Sequence, residues 1–227
     1  MWLKTGFSDY GVCDWMRAFI AVHKLKTRRR CGLRRRDLIL AGLFAALTAI
    51  GARLAILLPG ITGVPFTLQV VFVFLAGALL GPFPGAVSQL TYLLLGVIGI
   101  PVFARGTAGL GVLLGPTGGY LIAYPLAAFL VGWLANLTFA KQNGRGRPWW
   151  LWSAVFLANL SGLLLIYSLG LAQFFHYSLS HGKVMNLQEA IALTVLPFWA
   201  FDLFKAGLAA WLTLRVKRIM PFVSEGI

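Results

Sequence analysis

Six stretches of the chain run almost without charge, at about residues 38–58, 65–80, 84–98, 118–139, 149–171 and 187–214. Each approaches the ~20 apolar residues that a helix needs to cross a bilayer, and each is apolar all round rather than along one stripe, as helices surrounded by lipid or protein are. The pattern predicts an all-α polytopic membrane protein of six transmembrane helices. It breaks most sharply at Gly99–Tyr120, GIPVFARGTAGLGVLLGPTGGY, where seven glycines, Pro101 and Pro116 crowd between spans three and four. An interior Gly costs a helix about 1 kcal/mol and an interior Pro about 3. Irregular backbone is therefore expected here, tolerated at membrane depth only where it is buried in protein or lines a cavity.

Polar positions inside the spans come next. Span one carries Ala41, Ala45 and Ala49 at i, i+4 spacing, a stripe that lets another helix approach closely and suits either packing within the bundle or docking to a partner subunit; Arg53, near its far end, is placed to snorkel to the interface. Span two opens with Pro65 and contains Gln69, and span three contains Ser88, Gln89 and Tyr92. Amides in a span serve as interhelical hydrogen bonds or as ligand contacts. Thr117 is a candidate N-cap for span four, whose free N–H groups would face the glycine-rich loop and could seat an anion or a carbonyl. Trp149, Trp150 and Trp152 open span five as an aromatic belt, and Asn159 and Ser161 lie within it. A loop is expected from Gln173 to Asn186, with His176, His181 and Lys183; histidines five apart with no acid between them do not favour a metal pair. Span six places Asp202 and Lys205 near its middle, three residues apart and so on one helical face. Facing lipid, each would cost about 2.5–3.5 kcal/mol at the bilayer centre, so both must face the interior. They form either a structural ion pair or a ligand contact, and Pro197 upstream is expected to kink the helix beside them.

Composition agrees with this class: 59% of the 227 residues are hydrophobic and 11% charged, with a mean hydropathy of +0.82. A formal charge of +14 would suggest nucleic acid, but its distribution argues against it. Ten of the 20 Lys/Arg precede residue 37, three lie in 141–147 and three follow residue 214, as expected when basic loops stay cytoplasmic. Residues 1–36 thus read as a basic cytoplasmic extension touching anionic headgroups, 37–218 as the transmembrane domain and 219–227 as a cytoplasmic tail. A multi-pass protein of the cell membrane is expected, with both termini on the cytoplasmic side and the glycine-rich loop facing outside. The apolar run after the leader exceeds the h-region of a cleaved signal. Cys13 and Cys31 sit in the leader without metal spacing, and in a cytoplasmic segment a disulfide is not expected.

No GxxxxGK[ST] occurs, so the chain holds no ATPase site of its own. An intramembrane hydrolase is suggested only by Ser161, beside Gly162, and His176, without HExxH or paired carboxylates. A channel would want symmetric rings of charge or carbonyls. One Asp and one Lys beneath a glycine-rich loop instead suit a neutral polar group that both donates and accepts hydrogen bonds, such as a cyclic urea or amide. From the residues alone the reading reaches a protein that binds a small polar-headed solute from outside.

VPFTLQVVFVFLAGALLGPFPGAVSQLTYLLLG, the run GIPVFARGTAGLGVLLGPTGGYL and LPFWAFDLFKAGLAA together strongly resemble the BioY-type substrate-binding subunits of biotin transporters, the S components of energy-coupling factor importers. The resemblance covers about residues 38–214. It implies a six-helix bundle that binds biotin from outside and works with a transmembrane coupling subunit and two ATPase subunits, with no cofactor. It further implies that Ala41, Ala45 and Ala49 meet the coupling subunit, that Asp202 and Lys205 contact the ureido ring, and that Gln89 assists. Thr117 and Tyr120 of the GPTGGY element and Asn159 complete the expected substrate-binding set, together with Arg105. Two positions depart from the family: Arg105 stands where a small residue is usual, adding a cation suited to the biotin carboxylate, and Ala200-Phe201 stands where Pro-Gly usually precedes the aspartate. An S component for another small vitamin is the alternative substrate reading.

Overall fold

The computed structural model describes residues 34–54, 66–140, 148–182 and 186–219. The leader falls almost wholly outside them, as do Pro65, Lys183 and the 141–147 loop. The elements are α1 (Arg35–Arg53), α2 (Gln69–Leu80), α3 (Pro82–Val97), a 3-10 turn at Ala104–Gly106, α4 (Leu110–Leu114), α5 (Gly118–Ala140), α6 (Pro148–Ser180), α7 (Leu187–Thr194) and α8 (Trp199–Ile219). Among the described residues α5 and α6 are each long and apolar enough to cross a membrane, and α7 with α8 make a third such span if taken together across their 52° bend.

The bundle is built around α2, a 12-residue apolar helix with all but one residue buried. It packs against α1, α3, α5 and α8. Gly81 joins it to α3 with φ 89°, a conformation open to glycine, and Pro82 follows at the start of α3, where its missing N–H leaves no bond unmade. Glycine also sets how closely the central helices approach. A Cβ on Gly132 would lie 2.7 Å from the Gly77 carbonyl oxygen, and one on Gly85 2.9 Å from the Gly77 Cα, so α2, α3 and α5 meet backbone to backbone. Lipid offers apolar surfaces no driving force to associate, and such close van der Waals contact replaces it. Outward-facing Leu90, Leu94, Leu157, Leu164 and Phe204 coat the bundle with exposed apolar side chains, as a lipid-bound surface requires.

Two elements and one side chain differ from the sequence reading. Helix α6 continues to Ser180, so Gln173 and His176 are helical rather than in a loop; no proline or glycine follows Gly170 until Gly182, whose φ of 73° ends the run. The sixth apolar stretch is broken rather than kinked, with turns over 195–198 around Pro197, because proline lacks an N–H and disfavours helical backbone at the residue before it. Asp202 thereby falls in the first turn of α8, not mid-helix. Arg53 does not simply snorkel: its Nη2 donates to the Pro101 carbonyl at 2.7 Å and braces the glycine-rich loop.

Candidate functional site

Beneath that loop the bundle leaves a cavity of about 250 Å³. Its lining comes from the entry to α2, the roof formed by 103–117, α5, α6 and the α7–α8 break. The polar end is made by the first turns of α8. Asp202 and Lys205, 6% and 4% exposed, face the same side because three residues separate them. Lys205 Nζ donates to Asp202 Oδ1 at 2.8 Å, and the Tyr167 hydroxyl, from α6, donates to Oδ2 at 2.5 Å. The lysine ammonium also sits 3.8 Å from the centroid of the Phe66 ring, a cation–π contact. Two opposite charges are thus buried as a hydrogen-bonded pair; removing one would strand the other.

A second polar group lies at the start of α2. Thr67 donates to Gln69 Oε1 at 3.0 Å, and Gln69 Nε2 donates to the Tyr92 hydroxyl at 2.6 Å. Tyr92 in turn donates to the Val102 carbonyl at 3.3 Å, tying this wall to the roof. Tyr120 and Tyr124 stand one turn apart on α5 along the cavity. The Tyr120 hydroxyl is buried and has no hydrogen-bond partner among the described residues; Thr194 lies beside it but commits its own hydroxyl to the Ala190 carbonyl at 2.8 Å. A buried hydroxyl left unmade costs about 1–3 kcal/mol, so this atom offers a ligand a favourable contact.

Arg105 lines the mouth, exposed, with φ 60° and ψ 15°. It is the only non-glycine with positive φ among the described residues, a conformation costing a side chain roughly 1–2 kcal/mol. The surrounding roof is well anchored. Gln173 Nε2 donates to the carbonyls of Leu113 and Gly115 at 2.6 and 2.8 Å, and Phe103 is fully buried against Gly96, where a Cβ would collide with its ring. The glycine pair of GPTGGY has a packing reason: a Cβ on Gly118 would strike the Leu113 carbonyl, and one on Gly119 would lie 2.8 Å from the Gln173 Cβ.

Five of the seven expected substrate-binding residues, Asp202, Lys205, Arg105, Thr117 and Tyr120, line this one cavity. Gln89 and Asn159 do not. Gln89 is turned towards α1, donating to Thr48 Oγ1 at 3.3 Å and to Ser88 Oγ at 3.0 Å; Asn159 Nδ2 donates to the Ala206 carbonyl at 2.9 Å and fastens α6 to α8. The expected docking stripe also faces elsewhere. Ala41 and Ala45 are buried in the bundle and Ala49 is half-buried, whereas Gly42 and Ala46 are the small residues left open on α1. Tyr167, Tyr124 and Gln173 were not singled out from sequence, although a Tyr hydroxyl within a long apolar run needs a partner and in that respect Tyr167 was readable.

The BioY family model matches residues 23–222. Over 184 residues the chain is 42% identical to the Biotin transporter BioY of Thermotoga maritima, covering 81% of this chain and 97% of that protein. It is 39% identical over 188 residues to the Probable biotin transporter BioY of Pyrococcus horikoshii, covering 82% and 98%. Its fold is similar to the crystal structure of the S-component for biotin from an ECF-type ABC transporter, with a TM-score of 0.69 and 27% identity over 81% of this chain and 91% of that one.

Proposed function

This chain belongs to the BioY family, and from that premise we propose that it is the substrate-binding membrane subunit of a biotin importer, a transport protein and not an enzyme. Its apolar stretches cross the cell membrane six times with both termini cytoplasmic, so the cavity opens outwards beneath the glycine-rich loop. The subunit captures biotin there and hands it on in concert with a transmembrane coupling subunit and two ATPase subunits, having no nucleotide site of its own. Asp202 and Lys205 hold the ureido ring: the carboxylate accepts from its N–H groups while the ammonium donates to its carbonyl, and hydrogen bonds to charged groups are worth about 1.5–3 kcal/mol each. Arg105 at the mouth grips the carboxylate tail with two parallel bonds. Tyr120 donates its unpartnered hydroxyl to the ligand.

The observation that carries this reading is the buried Asp202–Lys205–Tyr167 set at one end of an otherwise largely apolar cavity. A hydrolase lacks such support. The Ser161 hydroxyl donates to the Ala158 carbonyl of its own helix at 2.7 Å, and His176 lies fifteen residues on in α6, roughly 22 Å along the axis. Equilibrium titration of the purified protein with biotin, thiamin and riboflavin is the test. Saturable binding of biotin at concentrations where the other two do not bind is expected; equal binding of all three, or preference for another vitamin, overturns the assignment.

A further inference from the structure

The outer surface of the bundle carries a second, quite different concavity, a groove of about 510 Å³ between α6 and α8. Its walls are aromatic. Trp152 and Phe156 of α6 stack at 5.0 Å with their planes 7° apart, and Phe204 and Trp211 of α8 face them, 70% and 47% exposed. The notch between them is floored by Gly207, which has no side chain: among the described residues a Cβ there would meet Trp152 and Phe156, at 3.6 and 3.8 Å. Among the described residues, none that lines the groove carries a charge. At one end, a turn beyond Trp211, Arg215 places its guanidinium 5.3 Å from the indole centroid. Arg215 is exposed and has no carboxylate partner among the described residues.

An apolar slot ending in a cation that has no carboxylate partner among the described residues matches one class of molecule available to a lipid-bound helix pair. We propose that the groove holds an acyl chain of an anionic phospholipid whose phosphate is bound by Arg215. Eight residues separate Gly207 from Arg215 on α8, roughly 12 Å of rise, so a chain lying in the notch brings its headgroup to the guanidinium. The neighbouring Trp149 and Trp150, exposed at the start of α6, mark the same headgroup level. The guanidinium fork binds phosphate with paired hydrogen bonds, while phosphatidylcholine offers the same phosphate neutralised by its own ammonium. The slot therefore selects by headgroup, which a plain lipid-facing surface does not. This site does not depend on what the interior cavity binds.

Native mass spectrometry tests it, on the full chain released from mixed phosphatidylglycerol and phosphatidylcholine with matched acyl chains. One retained phosphatidylglycerol is expected, favoured about tenfold over phosphatidylcholine. Arg215→Ala should remove that preference, Arg215→Lys should keep part of it, and Arg218→Ala should leave it unchanged. Gly207→Phe, which fills the notch, should abolish retention of both lipids. Monodisperse elution and an unchanged thermal midpoint report that each variant is folded, and Arg215, being exposed, supplies a variant whose fold is not at issue. Excess glycerol phosphate should not displace the lipid, because the headgroup alone lacks the chain. Equal retention of the two lipids by the unmodified chain, or an Arg215→Ala variant with the preference intact, sinks the proposal. So does a dimer that disappears in Gly207→Phe in place of a lipid adduct, which assigns the groove to a second copy.

Discussion

Asp202 has one oxygen engaged by Lys205 and the other by Tyr167, so either charge, deprived of its partner, is left buried at real cost. Asp202→Asn and Lys205→Met should each weaken biotin binding by about 2 kcal/mol or more, roughly thirtyfold. The double variant should lose less than the sum of the two, since removing both also removes the cost of burying one alone. Isothermal titration of the three variants measures this; wild-type affinity in either single variant would leave the pair a purely structural one. Arg105 calls for a different test because it is exposed, and exposed ion pairs contribute only ~0–1 kcal/mol. Biotin methyl ester should bind the unmodified protein several-fold more weakly than biotin, and Arg105→Ala should erase that difference. Equal losses in both proteins remove Arg105 from the site. At this scale the sequence was informative where chemistry is rare: two charges in an apolar run, and an arginine in a glycine-rich loop. It did not separate Gln69, which lines the cavity, from Gln89, which is turned away to Thr48, because an amide in an apolar helix looks the same whichever neighbour it meets.

Helix α1 shows how much rides on rotation about a helix axis. Ala45 and Ala46 are adjacent in sequence, yet the first is 1% exposed and the second faces outwards. On the proposed function, the small side chains of the outward face, Gly42 and Ala46, are where a coupling subunit's helix would approach. Ala46→Trp should therefore abolish biotin uptake in cells that supply the coupling and ATPase subunits, while the purified variant binds biotin normally. Ala45→Trp should instead lower thermal stability and biotin affinity together, because an indole has no room at that buried position. Uptake unaffected by Ala46→Trp points to another docking face. Breaks between elements were more legible than faces. The sequence placed the irregular stretch at Gly99–Tyr120 and a disturbance at Pro197, since both follow from the local backbone preferences of Gly and Pro. It ended the fifth apolar stretch near residue 171, whereas α6 continues to Ser180; hydropathy falls as the helix becomes polar, and helical backbone persists until a breaker stops it.

For the molecule as a whole, cohesion rests on close backbone contact around α2. Gly132→Leu would drive a side chain into the Gly77 and Gly81 backbone and should lower the thermal midpoint sharply or prevent recovery of folded protein. Gly42→Leu should leave the midpoint unchanged, since no described residue lies within 4 Å of its Cβ position; differential scanning fluorimetry distinguishes the two. Composition, hydropathy and the placement of Lys and Arg by themselves determined that this is a helical membrane protein with an irregular, glycine-rich connection, and its motifs indicated the family. These are properties of residues and their spacing, and they survive without knowledge of neighbours. Only the tertiary structure decided which face of each helix is inside, that Tyr167 reaches Asp202, that Gln173 and Arg53 hold the roof, and that five of the expected substrate-binding residues share one cavity while Gln89 and Asn159 do not. The physical reason is that helices apolar on every side carry no amphipathic stripe to show which face turns inwards. Their rotation is set by where glycine, alanine and a few hydrogen bonds let the backbones meet.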